Sequence, residues 1–172
     1  MPKIRNILFL CAGNTCRSPF ASEFAKFLKN TKYRNELREV EFDSAGLYHY
    51  YKVAQDGTVN YLKSKGVDMS NFRTKRVDED LVSKQDIILT FEQKRHINKL
   101  KRRFKNLNLD EKVFLLLEYA GDKENLEIED PFYLEQEEYN KILKRIEEGV
   151  LKTIDKIIKI NNLENDQISD IY

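Results

Sequence analysis

Four short apolar runs punctuate the chain at Ile4 to Leu10, Val40 to Ala45, Asp86 to Phe91 and Val113 to Leu117, each separated from the next by a longer amphipathic stretch. Three of the four are nearly unbroken in Ile, Leu, Val and Phe. A strand that is apolar at consecutive positions must be covered on both faces, whereas a half-exposed strand alternates with period two. The pattern predicts a single three-layer α/β domain: a four-stranded parallel sheet flanked by helices on both faces. A chain of 172 residues suits one such domain. Between the runs, Ser18 and Pro19 read as the cap and first position of a helix carrying Phe20, Phe24, Phe27 and Leu28 and ending near Asn30. A second helix is expected from Ala54 to Lys65, with Val59 and Leu62 inward and Gly66 at a left-handed C-terminal position. Thr90 and Gln93 read as a capping box opening a third, with Ile97, Leu100 and Phe104. Tyr139, Ile142, Leu143, Ile146, Val150, Ile154 and Ile157 recur at helical spacing and mark the last. The expected domain spans residues 1–160, with 161–172 a loose polar tail.

Charge narrows the function. Thirty Lys and Arg stand against 29 Asp and Glu, a formal charge of +1, so no broad basic field is available and nucleic acid is not an expected partner. No apolar run approaches the roughly 20 residues that cross a bilayer, so no membrane partner is expected. The N-terminus shows no signal-peptide pattern, and a cytoplasmic location is the expectation. Two cysteines, Cys11 and Cys16, are too few for a disulfide scaffold or a four-thiolate zinc site, and His49 and His96 stand apart without ligand-spaced companions. Neither metal nor organic cofactor is expected, and nothing signals assembly beyond a monomer. The cluster Lys99, Lys101, Arg102, Arg103 and Lys105 reads as a solvated helix end, with attraction of an acidic or phosphorylated partner as the alternative.

Directly after the first run comes Cys11-Ala12-Gly13-Asn14-Thr15-Cys16-Arg17-Ser18-Pro19. A loop between a parallel strand and a helix N-terminus turns successive backbone N–H groups toward one point, and the helix dipole adds partial positive charge there. Gly13 permits the tight turn, Asn14 ties the loop to its neighbours, and Arg17 supplies a planar guanidinium that grips two phosphate oxygens. The field that holds a phosphate favours thiolate over thiol, which makes Cys11 the candidate nucleophile. The Ser18 hydroxyl can hydrogen-bond that sulfur. Cys16, five residues on, is either a packed loop thiol or a redox partner that traps an oxidised Cys11 as a disulfide.

Thiolate attack on a phosphate ester expels an alkoxide or phenoxide, which needs a proton as the bond breaks. Asp130, followed by Pro131, Phe132 and Tyr133, lies beyond the fourth run. In open α/β sheets the loops at the strands' carboxyl ends converge, so Asp130 can reach Cys11 as the general acid. The two aromatics offer flat walls to a substrate ring.

In these motifs the chain resembles the low-molecular-weight protein tyrosine phosphatases. Their CxGNxCRSP signature is met from Cys11 to Pro19, their DSAG at Asp43-Ser44-Ala45-Gly46, and their Asp-Pro-aromatic-aromatic at Asp130 to Tyr133, in family order. The resemblance implies a phosphocysteine intermediate on Cys11. It implies phosphate held by Arg17 and the amides of Ala12, Gly13, Asn14, Thr15, Cys16 and Ser18, and Asp130 acting first as acid and then as base for the hydrolytic water. It also implies that Ser44 supports the loop through Asn14. Where the family uses a histidine to brace that asparagine, the nearest residue here is Asn71. Tyr48 is expected in the pocket wall with Phe132 and Tyr133, the choice among Tyr48, His49, Tyr50 and Tyr51 remaining open.

The expected substrate is a phosphorylated protein, and phosphotyrosine is the expected group. Thr15 resembles the arginine phosphatase branch of the family, so phosphoarginine hydrolysis at the same site is the alternative reading. A catalytically silent phosphoprotein-binding module is a remote one, since it has no need of both Cys11 and Asp130. Arsenate reduction on this fold requires two further cysteines that the chain lacks.

Overall fold

β1 (Asn6–Cys11) shows why unbroken apolar sequence becomes a central strand: Ile7, Leu8, Phe9 and Leu10 are all fully buried. The computed structural model describes residues 2–169. Alternate β1 side chains serve two different cores. Ile7, Phe9 and Cys11 join Phe20, Phe24, Leu143, Ile146 and Val150 on one face. Leu8 and Leu10 join Val82, Ile88, Ile97 and Leu100 on the other. Each such side chain withdrawn from water contributes about 1.5–3 kcal/mol.

β1 pairs in parallel with β2 (Glu41–Gly46) on one side and β3 (Ile87–Thr90) on the other, and β3 pairs with β4 (Val113–Leu115), giving the order β2-β1-β3-β4. Helices α1 (Arg17–Thr31), α2 (Asp56–Ser64), α5 (Leu116–Ala120) and α6 (Gln136–Ser169) cover the first face. Helices α3 (Glu79–Ser83) and α4 (Asn98–Arg103) cover the second. The expected three-layer parallel fold is therefore present. Because the chain leaves β1 toward β2 and later crosses back to β3, the carboxyl end of β1 is the topological switch point, where ligands of such sheets bind. Among the described residues no helix is long and apolar enough to cross a membrane.

Several boundaries differ from the sequence expectation. α1 begins at Arg17 with Cys16 at its N-cap and no side-chain cap, so Ser18 and Pro19 lie inside the first turn. Pro19 fits there because first-turn amides have no intrahelical acceptor to lose. Ser18 is freed from capping for another contact. Thr90 opens no helix: it ends β3 and donates to Phe114 O at 3.1 Å, and the capping box does not form. A π-helical turn, Gln93–Ile97, follows instead and runs into α4. The fourth run changes state at Leu116, where α5 begins, and α5 ends on Gly121 at φ +99°, a conformation that glycine adopts without a Cβ penalty. The loose tail expected from Asn161 is also corrected. α6 continues to Ser169, and the Asn161 side chain accepts from Ile4 N at 2.8 Å and donates to Ile4 O at 2.9 Å. Residues 170–172 of that expected tail lie outside the described residues.

Candidate active site

Cys11 closes β1, and residues 12–16 turn from it into α1. Asn14 shapes this loop from inside. It is fully buried and sits at φ +56°, a left-handed conformation that asparagine tolerates better than most side chains. Its Nδ2 donates to Ser18 Oγ and Ser44 Oγ, both at 2.9 Å, while its Oδ1 accepts from Lys75 N at 3.0 Å. The side chain thus fastens the loop to α1, to β2 and to the segment leading to α3. The backbone amide of Lys75 provides the brace; Asn71, the sequence candidate, is exposed and takes no part.

The Ser18 hydroxyl accepts from Asn14, which leaves its own hydrogen free for Cys11 Sγ at 3.0 Å, with Ala45 O at 3.4 Å as the alternative acceptor. The hydroxyl thus holds the sulfur at the edge of the loop. Among the described residues, none of the amides from Gly13 to Ser18 has an acceptor in the protein, and α1 has no side-chain cap to use them. They form an anion cradle at a helix N-terminus.

Arg17 is only 2% exposed, an unusual state for a guanidinium. Its Nη1 donates to Glu92 Oε2 and to Ile128 O, each at 2.8 Å, and its Nη2 lies 3.7 Å from Asp130 Oδ2. The Phe91 ring stands 5.8 Å from the guanidinium carbon. Among the described residues, Arg17 Nε is buried with no hydrogen-bond partner. Leaving a buried charged donor unmatched costs upward of about 1–3 kcal/mol, so an anionic oxygen brought to Nε gains that much by matching it.

Glu92 and His96 belong to this site, although sequence reasoning did not assign them to it. Glu92 lies two residues past the end of β3, at a carboxyl end of the sheet, which is the signal that could have found it. His96 is fully buried, and its Nδ1 accepts from the amides of Phe91 and Glu92, both at 3.1 Å. The proton of the neutral ring therefore sits on Nε2, 3.6 Å from Glu92 Oε2 and 3.5 Å from Arg17 Nη2. Burial first, then the charges of Arg17, Arg95 and Lys99, push His96 down to about 2, so the ring stays neutral. The extra residue in the π-helical turn brings the imidazole over the end of β3 in this way. His49 is exposed.

Cys16 is buried at the start of α1, and desolvation pushes its thiol up to about 12. Its sulfur lies 3.7 Å from Thr15 Oγ1, and its carbonyl accepts from Thr58 Oγ1 at 3.0 Å. Two thiols in one loop thus meet different surroundings: Cys11 contacts the Ser18 hydroxyl, while Cys16 is buried beside Thr15.

The mouth of the cradle is aromatic. Tyr48 N donates to Ala12 O at 2.8 Å, the Tyr48 and Tyr50 rings lie 5.6 Å apart, and Tyr50 packs beside Gly13. Tyr51 stacks on Phe132 at 5.8 Å, and Tyr133 meets Phe132 edge-on at 4.8 Å. Tyr133 is 92% exposed, so of the Asp-Pro-aromatic pair only Phe132 is anchored by packing. Asp130, 40% exposed on its side chain, accepts from Phe132 N at 3.1 Å, which points the carboxylate back toward Arg17.

The family model of the low molecular weight phosphotyrosine protein phosphatases matches residues 6–164. The low molecular weight protein-tyrosine-phosphatase YfkJ of Bacillus subtilis is 28% identical over 156 residues, covering 88% of this chain and 96% of its own. The crystal structure of YfkJ superposes with a TM-score of 0.80 over 92% of this chain and 97% of its own, at 24% identity. The YwlE arginine phosphatase from Geobacillus stearothermophilus gives 0.76 over 96% of both chains, at 25% identity.

Proposed function

Because the chain belongs to the low molecular weight phosphotyrosine protein phosphatase family, we propose that it hydrolyses phosphotyrosine in proteins through a phosphocysteine on Cys11. The observation that carries this reading is the convergence on one point of the Cys11 sulfur, the free amides from Gly13 to Ser18, and the buried Arg17 guanidinium with its open Nε. A phosphoryl group seated there has two oxygens on the amides and Arg17 Nε, with the Cys11 thiolate facing phosphorus.

In the first step the S–P bond forms as the P–O bond to the tyrosine ring breaks, and the Asp130 carboxyl gives its proton to the departing phenolate oxygen. In the second the Asp130 carboxylate takes a proton from water, the water oxygen bonds to phosphorus, and the S–P bond breaks. Thiolate and inorganic phosphate result. Ser18 stabilises the sulfur before and after, and Asn14 and Ser44 hold the loop in its cradle shape. Glu92 and His96 fix the Arg17 fork by occupying Nη1 and the space behind it. The two free thiols in the site suit a reducing compartment, and we place the enzyme in the cytoplasm on that ground.

Cys11→Ser should abolish turnover while retaining phosphate binding, since the cradle is untouched and only the nucleophile is weakened. Asp130→Asn should slow esters with poor leaving groups by about 10²- to 10⁴-fold and activated phenyl phosphates much less. Undiminished turnover in the first variant, or equal losses in the second, contradicts the assignment.

Phosphoarginine is the second reading, favoured by Thr15 in the loop. Among the described residues the Thr15 hydroxyl has one side-chain hydrogen-bond partner, Cys16 Sγ, whereas the rings of Tyr50, Tyr51 and Phe132 cluster at the mouth, so phosphotyrosine ranks first. Comparing kcat/KM for phosphotyrosine, phosphoarginine and phosphoserine peptides in wild type and Thr15→Ile tests the order. A wild-type preference for phosphoarginine that the substitution reverses would invert it.

A further inference from the structure

A dense run of positive charge in this nearly neutral chain lies beside the site. In six residues α4 carries Lys99, Lys101, Arg102 and Arg103, and the turn before it carries Lys94 and Arg95. Intramolecular pairing absorbs part of this: Lys101 meets Asp110 at 2.7 Å, and Arg95 approaches Glu92 at 3.9 Å. Lys99 and Arg103 have no acidic partner among the described residues. They lie one helical turn apart on the same side of α4, and both hold their cations over the Tyr48 ring, at 5.4 Å and 5.3 Å from its centre. Arg103 also donates to Leu47 O, which fastens α4 to the strand end that carries Tyr48. Since Tyr48 N donates to Ala12 O, the residue after Cys11, these two cations stand at the rim of the phosphate cradle. The stretch around Phe132 is of opposite character, with Glu129, Asp130 and Glu135 within three residues of it.

We propose that Lys99 and Arg103 form a docking surface for acidic residues flanking the phosphotyrosine, so that the enzyme selects phosphorylated segments rich in Asp and Glu on the side that lies along α4. This rests on the phosphotyrosine reading of the Cys11 loop and names the class of protein segment that the loop receives. The contact is exposed and electrostatic. It acts on capture more than on the chemical step, it weakens with salt, and the carboxylates beside Phe132 turn away acid placed there. The cation–π contacts hold both positive groups at the mouth, which lessens the entropy lost when a carboxylate arrives.

The test uses phosphotyrosine peptides of one length, with two flanking Glu, two Ala or two Lys placed before the phosphotyrosine in one set and after it in another, and phenyl phosphate as the substrate without flanks. At about 20 mM salt, kcat/KM in one of the two sets should favour Glu over Lys by about tenfold, the Ala peptide lying between, and the ratio should shrink to about twofold at 0.3 M salt. Lys99→Glu should erase or reverse the ratio, and Arg103→Gln should reduce it. Lys159→Glu makes the same charge change on α6, near the Asn161 tether at the opposite end of β1, and should leave the ratio as in wild type. Equal turnover of all peptides alongside good phenyl phosphate hydrolysis overturns the docking surface alone. So does a preference that Lys99→Glu does not alter. Failure of wild type on phenyl phosphate and every phosphotyrosine peptide brings down the phosphatase reading and the docking surface with it.

Discussion

Each of the three buried groups behind the phosphate cradle has a different reason for being there. Asn14 substitutes for backbone hydrogen bonds that a left-handed residue cannot make, Arg17 carries the charge, and His96 caps the end of β3 while remaining neutral. The last has a consequence for stability. In the folded chain His96 stays unprotonated down to about 2, against an ordinary value of 6.5 that applies once the chain unfolds. Its contribution is therefore fully present above about pH 6.5 and is lost progressively as pH falls, by up to about 1.4 kcal/mol per pH unit, because the unfolded ring takes up a proton that the folded ring refuses. His96→Asn keeps an acceptor for the Phe91 and Glu92 amides and removes the titration. Unfolding free energies from denaturant titration at pH 7, 6 and 5 should fall more steeply in wild type than in this variant. Parallel slopes would show that the ring can protonate in place. The contiguous residues from Cys11 to Ser18 were legible in the sequence because one loop carries the strand end, the glycine turn, the guanidinium and the helix start in order. Glu92 and His96 were not, because a lone acid and a lone histidine are common, and their meaning comes from an extra residue in a helical turn that no periodicity announces.

Elements set the loop as much as its own residues do. The registers of β1 and β2 place Cys11 opposite Gly46, and a Cβ on Gly46 would stand 2.8 Å from Gly13 C, Asn14 N and Tyr48 O. All three are backbone atoms, so none can swing aside as a side-chain end would. Gly46→Ala must displace either the phosphate loop or the strand end that bears Tyr48. The expected outcome is a loss of kcat/KM of about 10²-fold for aryl phosphates, with a stability cost of about 1–3 kcal/mol, since small displacements of positioning groups are costly to rate. Kinetics on the fully folded variant, with denaturant melts in parallel, check this; full activity would mean that the loop tolerates the shift. The four strands were readable to within about two residues at most ends because their apolar runs have no competing explanation. The Thr90–Gln93 capping box misled because a threonine that ends a buried strand has the same sequence neighbours as one that starts a helix, and only its bond to Phe114 O tells them apart. Helices α3 and α5 span five residues each, too few to display a 3.6-residue period.

At the scale of the whole molecule, the order β2-β1-β3-β4 makes β1 central and gives its two ends separate tasks. Its carboxyl end holds the cradle, and its beginning is held by α6. The alternation of runs and amphipathic stretches made the layers legible, but the tether between α6 and β1 could not be read. It joins residues 157 positions apart through one asparagine side chain, in a stretch whose polar composition resembles a tail. Asn161 supplies the backbone N–H and C=O of Ile4 with both of the hydrogen bonds that a neighbouring strand would have made, in a part-buried setting where each is worth about 0.5–1.5 kcal/mol. Asn161→Ala should therefore lower stability by about 1–3 kcal/mol, which in a chain of this size corresponds to about 2–12 °C in Tm. From Ile4 to the sulfur-bearing end of β1 is about seven strand residues, or some 23 Å along the strand. Over that distance an intact sheet should insulate the cradle, so kcat/KM for phenyl phosphate measured well below Tm should stay within about twofold of wild type. Thermal melts and initial rates on the same samples decide the matter. An unchanged Tm would mean that solvent satisfies Ile4 as well as Asn161 does, and a fall in turnover at temperatures where the variant is fully folded would mean that the position of α6 is felt at Cys11, through the core that α1 and α6 share.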